Sequence, residues 1–173
     1  MSGKAWWVDM RKEVAVFNLL DVCLGLGLRV VGEFIDLNME GLDSECKNLF
    51  GPDKVVDVEM LYDYIVNNIR DLSLDNFCKL YLLLGISEFL LPNRSGRVFS
   101  IFFKIVDDLP IIGKYNWGDV VYKYLVRSIF DAKTLLRDKL TIKQLYLVSC
   151  VYLLQVINFF LFHLEFKVCF DEL

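Results

Sequence analysis

A chain of 173 residues is long enough for one domain and leaves little room for a second. It is 55% hydrophobic and 14% aromatic, with a mean hydropathy of +0.43, which excludes an intrinsically disordered chain. The net charge of −4 is uneven: residues 1–93 carry 8 Lys/Arg against 15 Asp/Glu, residues 94–143 carry 10 against 5, and residues 144–173 carry 1 against 3.

In chain order, Met1 to Arg11 holds no apolar signal-peptide core, and residues 1–17 read as an N-terminal extension. A short helix is expected over Asn18–Leu24, stopped by Gly25 and Gly27. Leu28–Ile35 reads as extended, with Val30 and Val31 β-branched. Asp43–Phe50 is a short helix closed by Gly51-Pro52. Asp57 can cap a helix in which Val58, Leu61, Ile65 and Ile69 recur at helical spacing. Ser73 can cap a longer one, Leu74–Leu91, ended by Pro92. Its second half, LYLLLGISEFLL, is apolar on nearly every face and predicts deep burial. Asn93-Arg94-Ser95-Gly96 is a turn. Val98–Ile105 reads equally as a short strand or the start of a helix.

Asn116 can cap a helix from Trp117 to about Lys133, with Asp119 placed for a capping box. Asp119, Lys123, Arg127 and Asp131 repeat every four residues, a charged stripe most simply read as a solvated face. Thr141-Ile142-Lys143-Gln144 is a capping-box match that opens a last long helix. Leu145–Leu164 then runs twenty residues without a formal charge, the length of a membrane span. Gln155 and Asn158 near its middle argue instead for a helix buried in the domain.

The fold class is therefore mainly α: a single compact multi-helix domain, with at most a short β-hairpin or extended segments near 28–35 and 98–103. A helical domain over 18–158 is followed by a divergent hydrophobic tail, 159–173.

Tests for chemistry return nothing. His163 is the only histidine and sits in an apolar run, without metal-ligand spacing. Cys169 follows it by six residues, too close for a thiol nucleophile and its base to be built around intervening structure. Gly25-Leu26-Gly27 lacks the third glycine of a dinucleotide loop, because Val30 stands there. Asp107-Asp108, just before Leu109-Pro110, marks a helix end or a turn. No catalytic residue, cofactor or metal is expected. Five scattered cysteines, with no CxxC pair, argue against a disulfide framework and for a reducing, intracellular setting.

Two stretches carry a resemblance. They are DVCLGLGLRVVGE (residues 21–33) and GKYNWGDVVYKYL (residues 113–125). With LYLLLGISEFLLPNRSGRVFSIFFKIVDDL between them and the late SCVYLLQ, they resemble the plant mobile domain. That family, also called aminotransferase-like, occurs in plant transposable elements and in host proteins derived from them. The resemblance covers residues 18–157, and the tail FFLFHLEFKVCFDEL departs from it. Its most specific element is Tyr115-x-Trp117-Gly118 ahead of a helix. There Trp117 is expected to anchor the helix start in the core, and Gly118 to allow close backbone approach. The resemblance implies a nuclear protein connected with transposon silencing and supplies no catalytic residue.

The expected function is a non-enzymatic interaction domain of mobile-element origin acting through protein partners, with homo-oligomers compatible. The candidate contact residues are Lys123, Arg127, Phe159, Phe160 and Phe162. Two alternatives stand beside it: a nucleic-acid-associated module using the basic 94–143 region, and a small membrane-anchored protein using 145–164. Salt-dependent nucleic-acid binding would mark the first, and detergent-dependent extraction the second.

Overall fold

The computed structural model describes residues 6–10, 13–40, 43–51, 53–137 and 150. Its first elements are strands: β1 (Trp6–Met10) and β2 (Glu13–Phe17) pair antiparallel, with Trp6 opposite Phe17 and Met10 opposite Glu13. WWVDM and EVAVF are rich in aromatic and β-branched residues, and only two residues separate them. The hairpin thus lies in the segment read as an N-terminal extension, and not near 28–35 or 98–103. In 28–35 the backbone makes a single bridge, Glu33 to Tyr115, because its polar groups turn to a distant loop. Near 98, one pair of residues, Asp57 and Arg97, forms a bridge before a helix begins.

The other regular elements among the described residues are helical. In α1 (Leu19–Leu26), Asn18 accepts from the Leu20 and Asp21 amides while Asp21 accepts from the Asn18 amide at 2.8 Å, a complete capping box. Gly27, at φ 65°, ends it in the left-handed conformation. The short α2 (Glu45–Asn48) is capped by Ser44 and again from afar. The Asp107 carboxylate accepts from the Glu45 and Cys46 amides at 3.1 and 2.9 Å. Asp107 is also the C-cap that follows the next-but-two helix, so it serves two helix ends.

Asp57 caps α3 (Val58–Asn68) through the Met60 amide, and Ser73 caps α4 (Leu74–Gly85) through the Asn76 amide. α4 runs into a π-turn, Ile86–Leu90, and the Leu91 amide donates to Ile86 O. The expectation that this region is buried all round is corrected. Leu80, Leu83, Ile86 and Leu91 point inward, but Tyr81, Leu82 and Phe89 are exposed. Among the described residues, α4 packs against α3, α5 and α2.

The centre of the core is α5 (Ser100–Val106). Ile101, Phe102, Phe103, Ile105 and Val106 are all buried, leaving only Ser100 and Lys104 of its seven residues outside that set. A helix this apolar all round has to be enclosed by its neighbours. Phe103 meets Phe50 edge-on, and Phe102 lies 6.0 Å from Trp117 between ring centres. A 3₁₀ turn, Leu109–Lys114, leads to α6 (Trp117–Arg137). The Tyr124 hydroxyl donates to Pro92 O at 2.8 Å and ties α6 to the end of the π-turn segment.

Among the described residues, no helix is long and apolar enough to cross a membrane. Cys150 is buried in the same core cluster as α5. The remainder of 145–164, the box at Thr141–Gln144, His163, Cys169 and the tail 159–173 lie outside the described residues.

Candidate interaction site

The two stretches that carry the family resemblance meet in space. Gly27–Glu33 leaves α1 as irregular chain and lies along Gly113–Gly118. The Glu33 amide donates to Lys114 O and the Asn116 amide to Glu33 O, both at 2.8 Å. The Gly118 amide donates to Arg29 O, and the Arg29 guanidinium donates to Gly113 O at 2.6 Å. Asn116 serves twice. Its Oδ1 accepts from the Asp119 amide, capping α6, while its Nδ2 donates to Val30 O. The capping box read from Asn116 and Asp119 is thus half formed, because the Asn116 amide is taken by Glu33 and the Asp119 carboxylate by Lys123.

Gly118 is fixed by this approach. A Cβ there would lie 2.7 Å from Arg29 O and closer still to Cys23 Sγ, well inside contact distance. Gly32 is similar, with Tyr115 C at 2.6 Å from any added Cβ. Trp117, 8% exposed, sets its ring against Phe102 and donates from Nε1 to Ile112 O at 2.8 Å, so its one polar atom is satisfied. Tyr115 is half-buried and packs on the core.

The junction fixes how α6 presents its outer face. Lys123 pairs with Asp119 one turn earlier, at 2.7 Å, and its ammonium lies 5.4 Å from the centre of the Phe34 ring. Arg127, a turn further on, is exposed and forms no ion pair among the described residues. These two cations form a ridge with a cleft on each side. One cleft, about 820 Å³, opens between α1 and α6; Leu20, Val30, Tyr122, Val126 and Phe130 supply most of its wall. Leu20 and Phe130 are each more than half exposed. The other, about 450 Å³, lies beside Phe34, Leu37, Phe99 and Tyr124, with Asp131 at its rim. Burial pushes the Tyr124 and Tyr122 phenols above their ordinary range, Arg127 opposing the first shift and Asp21 adding to the second. Both stay neutral donors at physiological pH.

Of the residues picked from the sequence, Tyr115, Trp117 and Gly118 form the junction, and Lys123 and Arg127 form the ridge. Phe159, Phe160 and Phe162 lie outside the described residues. Sequence reading missed the apolar walls, Leu20, Phe34 and Phe130. Phe130 could have been found, since it follows Arg127 by three residues and so continues the charged stripe as an apolar one.

Burial raises the Cys23 thiol, with Asp119 adding to the shift, and pushes the Cys46 thiol up to about 12, the carboxylate of Asp107 contributing. Neither supplies a thiolate at neutral pH. Among the described residues, no group of three or more His, Cys, Asp or Glu is placed to hold a metal ion.

A domain of unknown function, DUF8566, matches residues 8–155, and the chain belongs to that family. The match contains the whole junction, the ridge and both clefts. No curated protein and no solved structure matches the chain.

Proposed function

We propose that this domain is a non-enzymatic protein-docking module and that its contact face is the cleft between α1 and α6. The observation that carries the reading is the exposed pair Leu20 and Phe130 beside Lys123 and Arg127, in an open cleft of about 820 Å³. Apolar area left in solvent drives association, and Arg127, exposed and in no ion pair among the described residues, favours an acidic partner over a basic one. The resemblance to the plant mobile domain supports the same reading and adds a nuclear, mobile-element-derived setting, because its two stretches are those that join at the junction. A nucleic-acid surface is less favoured, since Asp119 and Asp131 interleave with the cations of α6 and would repel phosphates.

The test is a backbone-amide NMR titration with two probes. One is an amphipathic helical peptide bearing leucines on one face and glutamates on the other; the second is a short DNA duplex. The reading expects the peptide to shift resonances of Leu20, Lys123, Arg127 and Phe130, and the Arg127→Glu variant to lose the response. Shifts at these residues with the duplex and none with the peptide would overturn it in favour of nucleic acid.

A further inference from the structure

A second apolar face stands on the other helix pair. Tyr62 and Val66 on α3 and Ile69 at its C-cap follow one another at helical spacing and are each about half exposed or more. On α4, Tyr81 is 62% exposed beside them. Between the two helices lies a cavity of about 550 Å³ whose walls include Val58, Tyr62, Tyr81 and Leu84. Its charged lining is Glu59 and Glu88, two carboxylates with no cation. The one lysine of α4, Lys79, is largely buried and already paired with Asp75 at 2.6 Å. A single exposed apolar residue needs no explanation, but four on adjoining turns of paired helices form a patch.

This face is the chemical complement of the α1–α6 cleft. One side offers aromatic rings and carboxylates; the other offers apolar walls, Lys123 already paired with Asp119, and a guanidinium, Arg127, that pairs with no described carboxylate and so carries the charged part of the match. The two share no residue. We infer that the α3–α4 face docks into the α1–α6 cleft of a second copy of this chain, giving a head-to-tail, heterologous association. This deepens the docking reading by naming the partner. Contacts of this kind join different patches of the two copies, so each added copy leaves one cleft and one face open. Assembly then grows with concentration and weakens with salt, because the charged part of the contact is solvent-accessible and screened.

Sedimentation velocity on the full chain, from micromolar to near-millimolar concentration, at low and high salt, tests the inference. Two variants make the test specific: Arg127→Glu blocks the cleft, and Tyr81→Glu blocks the face. Both positions are exposed, so thermal melts should stay near wild type and show that the variants fold. Wild type is expected to associate. Each variant alone is expected to be monomeric. An equimolar mixture is expected to form a dimer and stop there, because it pairs one intact face with one intact cleft. A wild type that stays monomeric throughout would overturn self-docking, as would variants that still associate singly. The peptide titration reads the cleft independently, so peptide binding without self-association sinks this inference and leaves the docking reading standing.

Discussion

The junction between residues 27–33 and 113–118 and the α3–α4 pair solve the same problem, holding two segments together, by different means. The α3–α4 pair relies on capped helices and side chains repeating at helical spacing. Asp57 and Ser73 start the helices, while Leu61, Ile65, Leu80 and Leu83 face inward. The junction has almost no regular structure on its first strand of chain. It is held by backbone hydrogen bonds between distant segments, by the Arg29 side chain, and by glycines that let the two backbones touch. The first kind of contact tolerates a change of side chain at many positions. The second tolerates little, because the atoms in contact are backbone atoms that cannot choose another rotamer.

Three substitutions break or sharpen that contrast. The largest effect is expected for Trp117→Ala, which removes a ring enclosed against Phe102 and leaves Ile112 O with only the long bond from the Tyr115 amide, at 3.4 Å. Loss of a buried large aromatic costs about 3–5 kcal/mol, read from urea melts of wild type and variant. A loss near zero would mean that the ring is not part of the core. Next is Gly118→Ala, where the added methyl group meets Arg29 O and Cys23 Sγ. Overpacking of this kind costs about 1–3 kcal/mol, and amide exchange should quicken around residues 29–33 more than in α3. The smallest is Asp57→Ala, which deletes the cap of α3 while leaving its packing in place, for about 0.5–2 kcal/mol. A methyl group at 118 that costs less than the missing cap would reverse the comparison and make the junction the more forgiving of the two.

The same contrast explains what could be read in the sequence. Caps are local, so Asp57, Ser73 and Asn116 were legible, and the elements they start begin where expected. Periodicity located α3 but not its orientation in full. Ile69 shares the helical spacing of Leu61 and Ile65, yet it is exposed, and it falls with Tyr62 and Val66 in a second stripe on the outer face. α5 stayed ambiguous because SIFFKIV is a short apolar run with a single charge, Lys104, and such a run fits strand and helix equally. The hairpin escaped because the residues between its strands, Arg11-Lys12, are not a familiar turn pair. The candidate site was half legible. Lys123 and Arg127 stood out as a charged stripe, but their apolar neighbours Leu20 and Phe34 come from segments about a hundred residues earlier. Only the junction brings them beside α6. The donors in 28–35 look like strand material until their partners at 113–118 are seen.

The junction also has a kinetic meaning. The bonds from Arg29 to Gly113 and from Asn116 to Val30 close segments 84 and 86 residues long, whereas α3 and α4 meet across a short turn. Long closures come at an entropic cost before any contact repays it, and contacts between distant segments form slowly. The helical pair is therefore expected to form early, and α1 to find α6 late, after the barrier has been crossed. Weakening the junction should then leave the refolding rate nearly unchanged and speed unfolding instead. The lifetime of the native state, more than the rate of reaching it, depends on two glycines and an arginine that bear no chemistry of their own.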